Sequence, residues 1–128
     1  MSEKSEKLVA SGEKLFAKGS FHKALKAFRE ASELDPDDIF AWNNQGVALE
    51  EFGRIDDAIK CYQRATKIDT GFGLAWNNMG FAHAQLGDFK EAIKCYKRAL
   101  KIDPGDQLAK ERLKQAVKLI GFTGGEDE

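Results

Sequence analysis

Residues 39–72 and 73–106 carry one 34-residue pattern written twice, and no other feature restricts the fold as much. Trp42 aligns with Trp76, Asn43-Asn44 with Asn77-Asn78, Gly46 with Gly80 and Gly53 with Gly87. The register holds through Ala58 and Ala92, Cys61-Tyr62 and Cys95-Tyr96, Ala65 and Ala99, and Ile68-Asp69 and Ile102-Asp103. A weaker copy precedes them, marked by Gly12, Leu15, Gly19, Phe21, Ala24, Phe28, Ala31 and Leu34-Asp35-Pro36. A fixed period of this length means a supersecondary unit that cannot bury its apolar face alone and stacks on copies of itself.

Inside each repeat, two stretches of helical period alternate with short turns. In the second repeat, helix A is expected near Ile39 to Glu51, with Asp37 or Asp38 as cap and Gly53 in the turn that ends it. Helix B is expected from about Ile55 to Ile68, with Ile55, Ala58, Ile59, Tyr62, Ala65 and Ile68 on its inward stripe. Pro36 and Pro104 close helix B, since proline cannot continue a helix. Thr70-Gly71-Phe72-Gly73 stands in place of the third proline turn and reads as a softer joint rather than a domain boundary. After Pro104 a further amphipathic helix is expected over about 106–120, with Leu108, Leu113, Val117 and Ile120 inward. Its polar outer face suits the end of a stack. The acidic tail 122–128 is expected to be flexible.

The length of 128 residues suits one domain, expected over 1–121 with repeats at about 5–38, 39–72 and 73–106. Twenty basic and 21 acidic residues leave a net charge of −1, so global charge points to neither nucleic acid nor a membrane surface. The N-terminal stretch lacks the apolar core of a signal peptide and no apolar run reaches a membrane span, so a cytoplasmic location is expected. Cys61 and Cys95 occupy equivalent places in neighbouring repeats and are expected to be reduced and partly buried.

These landmarks resemble the tetratricopeptide repeat. The second repeat matches with Trp42, Gly46, Leu49, Gly53, Ala58, Tyr62 and Ala65. The third matches with Trp76, Met79, Gly80, Gly87, Phe89, Ala92, Tyr96, Ala99 and Pro104. Departures are Leu8 for Trp, Gln45 for Leu, His83 for Tyr and Thr70 for Pro. The resemblance implies an all-α fold, a right-handed superhelical solenoid of three helix pairs with a solvating C-terminal helix. Helices A then line a concave wall. Gly46 and Gly80 are expected to face Ala58 and Ala92, with Tyr62 and Tyr96 filling the wider space between repeats.

No catalytic constellation is present. His22 and His83 lack a nucleophile at motif spacing, and nothing reads as a metal motif or phosphate loop, so no enzyme activity, cofactor or metal is expected. The informative surface is the helix A wall. Phe40, Val47, Leu74 and Phe81 offer an apolar floor beside the pairs Asn43-Asn44 and Asn77-Asn78, and Arg112 joins them from the last helix. A carboxamide carries a donor and an acceptor together, which is what an extended peptide backbone presents. The expected function is therefore a scaffold that binds a segment of another protein in its groove, with asparagines on the peptide backbone, similar to the asparagine ladder of superhelical members of the family. The family's clamp for acidic chaperone tails fits poorly. The residues in its places are Val9, Glu13, Asn44, Leu74 and Asn78, or Asn43, Val47, Asn78, Leu108 and Arg112, and the lysines are missing from both sets. Glu6, Glu13, Glu50 and Glu51 make the first two repeats acidic, so the ligand's basic end is expected toward repeat one. Self-association through exposed Phe40, Leu74 and Phe81, or through the tail, is the alternative. The partner's identity is not encoded in a groove of this kind.

Overall fold

A computed structural model describes residues 2–122, with the side chain of Phe122 excepted; the tail expected to be flexible lies outside the described residues. Seven helices follow one another: α1 (Glu3–Ala17), α2 (Phe21–Leu34), α3 (Ile39–Glu51), α4 (Ile55–Ile68), α5 (Gly73–Gln85), α6 (Phe89–Ile102) and α7 (Gln107–Phe122). Among the described residues there is no strand. The helices fall into two compact units, one ending at Thr70 and the other beginning at Gly71.

In the first unit α1 packs on α2 and α3 on α4, while α2 and α1 both touch α3. In the second, α5 packs on α6, and α7 rests on α6 and α5. Three residues suffice to reverse the chain inside each pair because a glycine stands just past helix A. Gly19, Gly53 and Gly87 take φ of 83°, 73° and 80°, a left-handed conformation that a side chain would strain. The freed carbonyls are satisfied in the same way each time. In the second repeat Gly53 N–H donates to Glu50 O and Arg54 N–H to Leu49 O. Helix B ends on Asp35, Asp69 or Asp103 in extended conformation. Asp35 and Asp103 then accept from the N–H two residues on, folding the proline turn back on itself.

The caps are unequal. Asp38, not Asp37, caps α3 by accepting from Phe40 and Ala41 N–H, and Asp106 accepts from Ala109 N–H at the start of α7. The equivalent place before α5 is held by Phe72, which makes no side-chain cap bond. Asp38 is 1% exposed and also accepts from the fully buried Ser5 hydroxyl, so its charge is met by three donors.

Each pair closes on an aromatic ring seated over a glycine. A methyl group at Gly46 would lie 2.6 Å from Tyr62 Cε1, one at Gly80 2.6 Å from Tyr96 Cε1, and one at Gly12 2.5 Å from Phe28 Cε1. The glycines thus face Tyr62 and Tyr96, not Ala58 and Ala92 as expected. The rings lie inside the helix pair, and the alanines fill the remaining close approach at 0% exposure. In the second and third pairs a tryptophan of helix A also carries an arginine of helix B: Arg64 sits 5.2 Å from the Trp42 ring centre and Arg98 4.9 Å from that of Trp76. Repeat one has Leu8 and Glu30 at those positions, and a cleft lined by Lys4, Lys7, Leu8, Glu30, Glu33 and Leu34 opens there.

α7 turns a different stripe inward than its large apolar residues suggest. Ala109 and Ala116 are buried, with Arg112, Leu113 and Ile120 half-buried, while Leu108 and Val117 are exposed. Small side chains let α7 approach α6 closely, and Ala116 joins Ala92 and Tyr96 in the core of the second unit.

Candidate functional site

In the first unit α1 and α3 present a face with two adjoining clefts. One, of about 200 Å³, is lined by Glu6, Val9, Ala10, Glu13, Asp38 and Phe40. The other, of about 100 Å³, is lined by Glu13, Phe16, Phe28, Asn44 and Val47. Both are smaller than the roughly 300–1,000 Å³ of sites that enclose a small molecule, and they suit side chains. Glu13 stands in both walls. Asn44 Nδ2 donates to Glu13 Oε2 at 3.1 Å across the two helices, and Asn44 Oδ1 accepts from Asn43 Nδ2 at 3.4 Å. These bonds fix which way the half-buried Asn44 amide points while leaving one N–H and one lone-pair direction on it. Phe40, 43% exposed, forms the open rim.

In the second unit α5 and α7 form the corresponding face. Arg112 donates from Nη1 to Asn77 Oδ1 at 3.1 Å and lies 4.3 Å from the Phe81 ring centre. Asn77 Nδ2 in turn donates to Asp106 Oδ2 at 3.5 Å, which links α5 to the cap of α7. Leu74 and Phe81 remain exposed beside this network, and Asn78 is half-buried.

The residues singled out from the sequence therefore separate. Within the first unit Phe40, Asn44 and Val47 reach the face, and within the second Leu74, Asn78 and Phe81 do so with Arg112 among them. Asn43 and Asn77 do not share that exposure, at 2% and 4%. One residue earlier on the helix turns their side chains into the interior, where burial makes a hydrogen bond obligatory; Asn43 donates to Asn44, and Asn77 to Asp106. Val9 of α1 is also buried. The sequence reading missed the bond that joins Glu13 to Asn44, yet a signal existed. Glu13 holds the place of Val47 and Phe81, and Glu6 that of Phe40, Leu74 and Leu108. Repeat one has carboxylates where its sister repeats have apolar side chains.

The remaining reactive groups are quiet. Cys61 and Cys95 are free and buried, and desolvation pushes their thiols up from 9.0 to about 11 and about 12. Burial likewise raises the Tyr96 phenol to about 12, against the lowering influence of Arg112. His83, 16% exposed in its side chain, holds Nδ1 3.8 Å from Asp88 Oδ2 at the turn after α5. Among the described residues no group of three or more His, Cys, Asp or Glu side chains is placed to hold a metal ion. No helix there is long and apolar enough to cross a membrane.

Comparison with known proteins fits this geometry. Family models described as tetratricopeptide repeat match residues 9–72 and 73–106. The chain belongs to the tetratricopeptide-repeat family. A search of curated proteins gives no match. Solved tetratricopeptide structures superpose over nearly the whole chain. The Sgt2 domain from Aspergillus fumigatus matches with a TM-score of 0.91 at 22% identity, covering 99% of this chain and 85% of that one. The Arabidopsis OM64 domain gives 0.87 at 26% identity, covering 91% and 96%. The first domain of Spaghetti (RPAP3), solved bound to the HSP90 peptide SRMEEVD, gives 0.91 at 22% identity, covering 94% and 96%.

Proposed function

We propose that this tetratricopeptide-repeat chain is a protein-interaction module that holds a segment of a partner protein on its helix A faces, and that Asn44 and Asn78 contact the backbone of that segment. The observation that carries this reading is the half-buried amide of Asn44. It is held in one orientation by Glu13 and Asn43 in the wall of a cleft whose other lining, Phe16, Phe28 and Val47, is apolar and whose size suits a side chain. A pre-oriented donor and acceptor beside such clefts is what recognition of an extended backbone requires. Exposed Phe40, Leu74 and Phe81 supply apolar contact on the same faces. Structures of relatives solved with bound peptides support the same use of the fold, as the Spaghetti domain does with its HSP90 peptide.

Affinity capture from cell extract with wild-type protein and an Asn44→Ala/Asn78→Ala double variant tests the reading. Each lost amide bond is worth about 0.5–1.5 kcal/mol, so the specific partners should drop out of the double variant while helical content stays the same. Capture of the same partners at equal strength by both proteins would refute it. Self-association through Phe40, Leu74 and Phe81 predicts instead a mass in light scattering that climbs with concentration, whereas a peptide receptor stays monomeric.

A further inference from the structure

We infer that the α1–α3 face of the first unit is selective for a segment carrying basic side chains among apolar ones; this deepens the peptide-binding reading and rests on it. Three observations converge. Glu6 and Glu13 line the two clefts, and neither cleft is lined by a lysine or arginine. The basic residues of α1 that line a cleft, Lys4 and Lys7, belong to the separate one against α2, opposite Glu30 and Glu33. Finally, the two acids stand where the second and third repeats carry Phe40 and Leu74, or Val47 and Phe81. Charge has been placed on a face whose sister positions are apolar.

The carboxylates differ in readiness. Asp38, at the base of the larger cleft, is buried and already accepts from the Ser5 hydroxyl and two backbone N–H groups, so it adds negative potential but little bonding capacity. Glu13 is exposed and receives one bond from Asn44, which leaves further lone pairs on its two oxygens. Glu6 is exposed at the rim. An ammonium or guanidinium entering here meets carboxylates beside apolar walls from Val9, Ala10, Phe16 and Val47, where a charged hydrogen bond is stronger than in open water. An acidic tail would meet like charge.

Spacing sharpens the occupant. Glu6 and Glu13 lie seven residues apart on α1, a rise of about 10.5 Å at 1.5 Å per residue. Three residues of a polyproline II segment cover about 9 Å and complete one turn, so side chains three apart point the same way, which in a β-strand they would not. A segment running along α1 therefore presents both carboxylates with a partner when its basic residues are three apart, with apolar residues between them for Phe40 and Val47.

The test is selection of displayed random peptides on the intact chain, repeated with a Glu6→Lys/Glu13→Lys variant whose fold is checked by circular dichroism. The expected result is enrichment of Lys or Arg in pairs three apart on the wild type and of Asp or Glu on the variant. Glu13→Gln should weaken the best wild-type peptide about two- to fivefold, the range of a part-exposed ion pair. Peptides that lack basic residues, or that bind the charge-reversed variant equally well, overturn this inference. If their binding still falls with Asn44→Ala, the broader reading stands without it. Enrichment of no peptide at all removes both.

Discussion

Replacing Gly46 by alanine should destabilise the protein, against the ordinary preference of helices. In an unconstrained helix the change is favourable by about 1 kcal/mol. Here the new methyl would lie 2.6 Å from Cε1, 2.9 Å from Cζ and 3.0 Å from Cδ1 of Tyr62. Ordinary contact begins near 3.4 Å, so the ring must retreat by about 0.8 Å. Tyr62 has no slack, being 0% exposed and anchored by its hydroxyl, which donates to Glu50 Oε2 at 2.5 Å. Overpacking costs about 1–3 kcal/mol, and loosening the hydroxyl bond about 0.5–1.5 kcal/mol more. Set against the helical gain, the net loss is about 0.5–3.5 kcal/mol, at roughly 3–5 °C in melting temperature per kcal/mol for a chain of this size. Urea titration followed by far-UV circular dichroism measures it. The decisive comparison is the same substitution in a Tyr62→Leu background, where the smaller side chain leaves room and the alanine should become neutral or stabilising by up to about 1 kcal/mol. If Gly46→Ala matches or exceeds wild-type stability with Tyr62 in place, the account of the glycine as a seat for the ring is wrong.

Removing the Arg112 side chain should cost about 1–3 kcal/mol, because it deprives buried Asn77 of its donor and Phe81 of its cation; hydrogen exchange should rise along α7 before α5. At about pH 8 the folded protein should alkylate more slowly than in urea, by roughly a hundredfold at Cys61 and a thousandfold at Cys95, since burial holds their thiols at about 11 and about 12; equal rates would contradict the packing. The folded values of Cys61, Cys95 and Tyr96 lie above their ordinary ones, so the folded state keeps its protons longer. The stability they contribute is full below about pH 9 and is lost as pH rises toward about 12, which alkaline unfolding of a Cys61→Ala/Cys95→Ala variant should show as a shallower decline. Calorimetry should give one transition with equal calorimetric and van't Hoff enthalpies if residues 1–121 act as a single domain, and two resolved transitions if the units melt apart.

Much of the fold was legible because it is punctuated. Gly53 and the caps bracket α3 and α4, and those helices run over Ile39–Glu51 and Ile55–Ile68 as the residues imply. Faces were harder than boundaries. Adjacent residues on a helix point about 100° apart, so Asn43 and Asn44 look alike in sequence, and only the approach of the neighbouring helix buries one and half-exposes the other. The same limit applies to α7. A hydrophobic stripe favours Leu108 and Val117, while close packing favours Ala109 and Ala116, and packing prevails. The partners of Gly46 and Gly80 depend on interhelix distance, a quantity no periodicity encodes. The substitution of acids at positions 6 and 13 was readable by aligning the repeats, and its meaning emerged once clefts surrounded them.

In both units every helix touches only the next one in the chain or the one after that, as α1 does α2 and α3, or α5 does α6 and α7. No segment has to wait for a distant stretch of polypeptide before its contacts can form, and the ring closures that precede each contact are short. A topology of such low contact order belongs among rapid folders, in the microsecond-to-millisecond range. Pauses during refolding would then point to isomerisation before Pro36 or Pro104 in the unfolded chain, or to association between chains, rather than to the search for native pairings.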